Sequence, residues 1–181
     1  MKDENRGYEK VCDSARFLCD FAHSTQRNYA YLCKNKRNTM EKQGKIFIVD
    51  DNEDVLFALN LLLEPYVEKV KVSTQPSRIE HFMTTFEPDV ILLDMNFSRD
   101  AISGQEGFDC LEQILRIDAE AIVIFMTAYA DTEKAVKAIK AGATDFVSKP
   151  WEKEKLLATL SSAFKLRESQ RKVKQLKEQV S

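Results

Sequence analysis

Pro88-Asp89-Val90-Ile91-Leu92-Leu93-Asp94-Met95-Asn96 decides how the rest of the chain is read. Four consecutive apolar residues, two of them β-branched, are opened by a proline-led pair and closed by a carboxylate. An unbroken apolar run of this length fits a strand buried on both faces, as in a parallel sheet covered by helices. Asp94 then stands at the strand's carboxyl end, the edge at which open α/β sheets bind ligands. By itself an Asp there is more often the start of a turn. The neighbouring segments decide between the two readings.

Upstream, Lys45-Ile46-Phe47-Ile48-Val49-Asp50 is a second apolar run ending in acid, and Asp51-Asn52-Glu53-Asp54 follows it. Val55, Leu56, Leu59, Leu62 and Leu63 then recur at helical spacing, with acids at the helix start where its dipole favours them. Val67, Val70 and Val72 alternate with lysines in a shorter strand with one wetter face. Pro76-Ser77-Arg78 opens a helix through Ile79, Phe82 and Met83. Downstream of Asp94, residues 96–106 are polar and read as a loop, and residues 107–117 as a helix. Residues 121–126 form a third fully apolar strand ending at Thr127. An alanine-rich helix over 131–141 is stopped by Gly142. Residues 144–148 make a fifth strand, ending at Lys149-Pro150, and the chain is helical from Glu152 onward.

Five strands alternating with five helices predict a doubly wound α/β fold. Right-handed crossovers leave few topologies, and the flavodoxin-like order 2-1-3-4-5 is the natural one. It sets the first and third strands side by side at the switch point. Asp50, Asp51 and Asp94 then meet at one edge, joined by Thr127 and Lys149.

Composition narrows the function class. The chain has 181 residues, 44% hydrophobic and 31% charged, which suits a packed core. There is no apolar run long enough for a membrane span and no signal-peptide core after the charged start, so the expected location is cytoplasmic. Residues 45–164 carry 12 Lys/Arg against 21 Asp/Glu. That acidic body argues against nucleic-acid contact by the domain itself. Cys12, Cys19, Cys33 and His23 lack the spacing of a zinc site, and the four cysteines read as free thiols.

Three carboxylates within roughly 5 Å repel by about 3 kcal/mol per pair at an effective dielectric near 20, roughly 10 in all. A cation among them offsets that cost, and all-oxygen ligands suit Mg²⁺ or a similar hard divalent ion. With Lys149 as a second positive charge, such a site suits phosphoryl transfer with Asp94 as nucleophile and the Thr127 hydroxyl as a donor to a phosphoryl oxygen. No Gly-x-x-x-x-Gly-Lys or Gly-x-Gly-x-x-Gly stretch is present, so the phosphoryl donor is expected to arrive already activated.

Asp50-Asp51, Asp94, Thr127 and Lys149-Pro150, in that order, resemble the signature set of the bacterial response-regulator receiver domain. The resemblance covers about residues 44–165. It implies that Asp50 and Asp51 bind Mg²⁺ with Asp94 and the backbone carbonyl of Asn96. It implies that Asp94 is phosphorylated from a phosphohistidine on a sensor histidine kinase, that Pro150 follows a cis bond, and that Thr127 and Phe146 form a switch pair. Phosphorylation would then turn Phe146 inward and shift dimer contacts on the face of the fourth helix, fifth strand and fifth helix. Two departures stand out. The usual Pro and Gly turn is replaced by Asn96-Phe97-Ser98 through Gly104, which resembles receivers of sigma-54-dependent transcription activators. Position 129 is Tyr129, whose ring would hinder attacking water and lengthen the life of the phosphoryl group.

Residues 1–43 read as an extension, non-native or disordered, with Met40 as a natural start; a docked helix is the competing reading. Residues 44–165 are the expected receiver domain and 166–181 a helical linker. There Leu166, Val173 and Val180 recur every seven residues with Leu176 between them, the start of a coiled coil that would pair two copies. Function is therefore expected to be that of a phosphorylation-dependent switch controlling a transcriptional output. It is not a turnover enzyme beyond its own phosphoryl transfer and slow autodephosphorylation. The alternatives are a stand-alone receiver in a phosphorelay or an interaction module, and a metal-dependent phosphatase with an aspartyl-phosphate intermediate.

Overall fold

The structure is a computed structural model that describes residues 42–97, 105–128 and 132–180. The expected N-terminal extension with Cys12, Cys19, Cys33 and His23, the loop 98–104 and Tyr129 lie outside the described residues. The chain runs β1 (Gln43–Val49), α1 (Glu53–Leu63), β2 (Val67–Ser73), α2 (Ile79–Thr85), β3 (Val90–Asp94), α3 (Gln105–Ile117), β4 (Val123–Ala128), α4 (Thr132–Lys140), β5 (Asp145–Lys149) and α5 (Lys153–Val180). The five strands form one parallel sheet in the order β2-β1-β3-β4-β5, the doubly wound topology that the strand and helix alternation predicts.

Side-chain alternation along the central strands builds two separate cores. Ile46, Ile48, Val90, Leu92, Ile124 and Met126 point to the layer of α1 and α5, where Leu56, Leu59, Leu63, Leu156 and Leu160 meet them. Phe47, Val49, Ile91, Leu93, Val123 and Phe125 point the other way, onto Ile79 and Met83 of α2, Leu111 and Ile114 of α3 and Ala138 of α4. All five residues of β3 are buried, because both faces carry helices and both edges carry strands. Burial of such side chains contributes about 1.5–3 kcal/mol each relative to exposure, so β3 is fixed in place by its own composition.

Element ends differ from the sequence pattern where backbone hydrogen bonds intervene. Pro76 opens a short 3₁₀ turn over Pro76–Arg78, closed by Arg78 N–H donating to the Gln75 carbonyl at 3.1 Å, and α2 starts only after it. Ala121 and Ile122 are buried as expected but precede β4, since the Ala121 N–H is spent on a turn to the Asp118 carbonyl at 3.0 Å. Helix α3 begins two residues before the expected Gly107. On the edge strand β2, Val67 is buried but Val72 is 41% exposed. Gly142 ends α4 with φ +110°, a conformation open to glycine at little steric cost. Helix α5 passes residue 165 without a break. No described helix is long and apolar enough to cross a membrane.

Candidate functional site at the carboxyl edge of the sheet

Parallel strands deliver their last residues to the same edge, so β1 and β3, which pair from Ile46 with Val90 to Val49 with Leu93, set Asp50 and Asp94 next to each other. Asp50 has no exposed surface and Asp94 is 5% exposed. Asp51 is half-buried beside them. One carboxylate oxygen from each of Asp50, Asp51 and Asp94 lies within 4.8 Å of the others. From the end of β5, the Lys149 ammonium reaches into the cluster, 2.5 Å from Asp50 Oδ2 and 2.9 Å from Asp94 Oδ1. The peptide bond between Lys149 and Pro150 is cis.

Local backbone contacts fix these groups. Asp50 donates its N–H to the Ser73 carbonyl at 3.2 Å and accepts from the Asn52 N–H through Oδ1 at 2.9 Å. The cap of α1 is Asn52, whose Oδ1 accepts from the backbone N–H groups of Asp54 at 2.9 Å and Val55 at 3.3 Å. Asp50 and Asp51 are left for the site. After Asp94, the Met95 N–H donates to the Met126 carbonyl at 3.1 Å. Met95 and Phe97 are both buried in the core beneath α2 and α3. This anchoring leaves Asn96 half-buried at the site, with Oδ1 at 3.4 Å from the Lys134 ammonium.

The charges are unevenly balanced. Burial pushes the Asp94 carboxyl above its ordinary value, and the Asp50 charge adds to it; hydrogen bonds from Lys149 and the Asn96 backbone pull the other way without cancelling the rise. Burial lowers Lys149, but its hydrogen bonds and charge interactions with Asp50 and Asp94 outweigh that and raise it, so the ammonium stays charged. An all-carboxylate cluster with one cation already inside has donors and spacing suited to a small hard ion. Thr127 is 3% exposed and follows Met126, the register partner of Asp94. Phe146 of β5 is 38% exposed and pairs with Phe125.

Gly107 is a site residue that the sequence pattern hides inside a helix. A Cβ there would stand 2.7 Å from the Met95 carbonyl oxygen, 3.0 Å from the Met95 Cα and 3.2 Å from the Asp94 carbonyl oxygen. Helix α3 therefore packs directly on the backbone that carries Asp94, and only a glycine permits that approach. Gly107→Val is expected to push the two apart, destabilise the fold by about 3 kcal/mol and displace Asp94. Denaturant unfolding checks the stability; a variant with unaltered midpoint would show that the helix yields without cost.

Comparison with known proteins agrees with this geometry. Residues 46–161 match the family described as the response regulator receiver domain. The chain is 31% identical over 153 residues to the response regulator protein TodT of Pseudomonas putida, a match covering 82% of this chain and 65% of that protein. It is 28% identical over 143 residues to the alginate biosynthesis transcriptional regulatory protein AlgB of Pseudomonas aeruginosa, covering 78% of this chain and 30% of that one. Among solved structures, the N-terminal signal receiver domain of a two-component response regulator from Bacteroides fragilis is 43% identical. It superimposes with a TM-score of 0.62, over 67% of this chain and 97% of that one. The chain thus spans about two thirds of TodT, less of AlgB, and nearly the whole of the isolated domain.

Proposed function

The chain belongs to the response regulator receiver family, and from that premise we propose that it is a phosphorylation-dependent switch whose phosphoryl acceptor is Asp94. The observation that carries the reading is the cluster itself: three carboxylates from two strand ends within 4.8 Å, with a lysine from a third strand between two of them. A structural ion pair needs one carboxylate; three together disfavour the fold unless the site is built to take positive charge.

The donor is a phosphohistidine on a sensor histidine kinase. An Asp94 carboxylate oxygen forms the new bond to phosphorus while the bond from phosphorus to the imidazole nitrogen breaks, and the electron pair leaves with that nitrogen. Asp50, Asp51, Asp94 and the Asn96 carbonyl would hold Mg²⁺. When bound, that ion supplies positive charge to the phosphoryl oxygens. Lys149 orients the Asp94 carboxylate and neutralises charge from the opposite side. The Thr127 hydroxyl donates to a phosphoryl oxygen, which would draw β4 toward the site and free room for Phe146 to turn in from its outward position. The readout is a change on the surface of α4, β5 and α5, where Val136, Ile139 and Phe146 are exposed and offer a face for a second copy.

Relatives named as transcriptional regulators support an output in transcription. The run Asp94-Met95-Asn96-Phe97 supports a place among receivers of sigma-54-dependent activators. The acidic body leaves any nucleic-acid contact to an output domain or partner, and the location proposed with this reading is cytoplasmic. The domain catalyses its own phosphorylation and a slow loss of phosphate, without other turnover.

Acetyl phosphate tests the reading. With Mg²⁺ a single labile adduct of about 80 Da is expected by mass spectrometry, and without Mg²⁺ none. Absence of any adduct would reject the switch. Sustained turnover of small phosphate esters would instead mark a phosphatase.

A further inference from the structure

Beyond the phosphoacceptor site, the outer face of α5 has the form of a docking strip, and its flanking charges define what fits it. The helix holds to its own domain by one side. Leu156, Leu160 and Ala163 are buried against the sheet. Further along, Arg167 pairs with Asp118 at 2.5 Å and donates to the Glu120 carbonyl at 2.9 Å. A turn later Arg171 pairs with Asp89 at 2.6 Å, a carboxylate 6% exposed that also accepts from the Lys45 N–H at 2.8 Å. These contacts tie the helix to the amino-terminal edge of β3 and to the turn before β4. They fix its rotation about its own axis as far as residue 171.

At about 100° per residue, Leu166, Val173 and Leu176 lie roughly 100–180° around the helix from Arg167. They are 43%, 50% and 62% exposed. The two arginines thus aim an apolar strip away from the domain. In heptad terms Leu166 and Val173 take the a positions and Ser169 and Leu176 the d positions. The positions that flank such a seam, e and g, are Lys165, Gln170, Lys172, Lys177 and Gln179: three lysines, two amides and no acid. The acids of this stretch, Glu168 and Glu178, fall outside the flanks, and Glu168 pairs within the helix with Lys172 at 2.6 Å.

Flanking charges set partner choice in paired helices. Two parallel copies of α5 would set Lys172 of one against Lys177 of the other, twice, and Lys165 against Gln170. Antiparallel copies again set lysines and glutamines against each other. Neither orientation forms an opposite-charge pair. We propose that this strip receives an amphipathic helix of another protein that carries Glu or Asp beside its apolar seam, in preference to a second copy of α5.

A charge-reversed copy of the chain is the probe. The triple variant K165E, K172E and K177E, and the double variant K172E and K177E, each present the same seam with acidic flanks. Each is mixed as a full chain with the wild-type chain and followed by sedimentation velocity, with the L176E variant in parallel to isolate association through the strip. The expected result is an L176E-sensitive mixed complex at least tenfold tighter than either self-association, weakening as salt rises. Both variants should keep the cooperative melt of the domain, since the three lysines are exposed. An L176E-sensitive wild-type self-complex as tight as the mixture would assign the strip to a second copy. No L176E-sensitive complex in either mixture would show that the strip docks no helix. Neither measurement involves Asp94 or phosphate.

Discussion

Asp94→Asn should take up no phosphoryl group from acetyl phosphate under conditions that label the wild-type chain fully, and should melt higher than wild type in the absence of metal. Both results come from one carboxylate. An amide oxygen is too weak a nucleophile to form the acyl phosphate, so labelling is lost rather than reduced. The gain in stability follows from the direction of the Asp94 shift. Burial raises its folded-state carboxyl above the usual value of 3.8 even with Lys149 beside it. The folded chain therefore keeps a proton that the unfolded chain has released, and stability falls as pH rises from 3.8 through the folded value. Above that window the full penalty is present at neutral pH, and the isosteric amide removes it. The expected result is a higher melting temperature than wild type at neutral pH. The increase should shrink as the pH is lowered toward 3.8, where wild-type Asp94 is itself protonated. Equal melting of the two proteins at neutral pH would mean that the ionised carboxylate carries no penalty in the fold.

The sheet order and the meeting of Asp50, Asp51, Asp94 and Lys149 were legible because the chain signals them locally. Buried parallel strands are written as continuous apolar runs, and each here ends in a polar residue that the topology sends to the same edge. Phe146 was named only through the resemblance to receiver domains, whereas Thr127 could be placed at the end of β4 for the same reason. Gly107 could not, because its requirement lies in a close approach between α3 and the backbone of Met95, a contact that no periodicity encodes. The signal was hidden by the expected helix start at Gly107; only its place two residues inside α3, where glycine costs about 1 kcal/mol relative to alanine, asks for a packing reason. The ends of β4 were misjudged because apolar composition reports burial: Ala121 and Ile122 are buried but precede the strand, and of the two the Ile122 carbonyl accepts a hydrogen bond from β3, from Ile91 N–H at 2.9 Å. On α5 the seven-residue recurrence was plain in the sequence. Which side of the helix holds the domain was not, since Arg167 and Arg171 look like any solvated basic pair until Asp118 and Asp89 are seen beneath them.

Those two kinds of charge pairing differ in what they hold apart. The α5 arginines fasten a helix at the amino-terminal edge, where Asp89 and Asp118 also accept the backbone N–H groups of Lys45 and Glu120. At the opposite edge Lys149 keeps two buried carboxylates together that would otherwise repel, and it does so in the space where a phosphoryl group has to enter. Its removal therefore tests whether the site is strained without a cation. Lys149→Met keeps the length of the side chain and deletes the ammonium that stands 2.5 Å from Asp50 and 2.9 Å from Asp94. Removing one partner of a buried pair leaves the other uncompensated, typically at about 3 kcal/mol. The Lys149 side chain is 24% exposed, but the carboxylates it serves are not, so solvent offers them little relief. The metal-free variant should melt roughly 10 °C lower at neutral pH. Two changes should restore it. Mg²⁺ at about a hundredfold excess over its Kd stabilises by about 2.7 kcal/mol, close to the loss. Asp94→Asn in the same chain removes one of the two orphaned charges, so the double variant should lose less than the sum of the separate effects, a coupling that a double-mutant cycle reads directly. Labelling by acetyl phosphate should slow by about 10²-fold with Mg²⁺ present, the usual cost of deleting one charged donor to a developing anion. If Lys149→Met melts as the wild type does and Mg²⁺ shifts both equally, the cluster tolerates its own charge and the lysine acts only on the phosphoryl group.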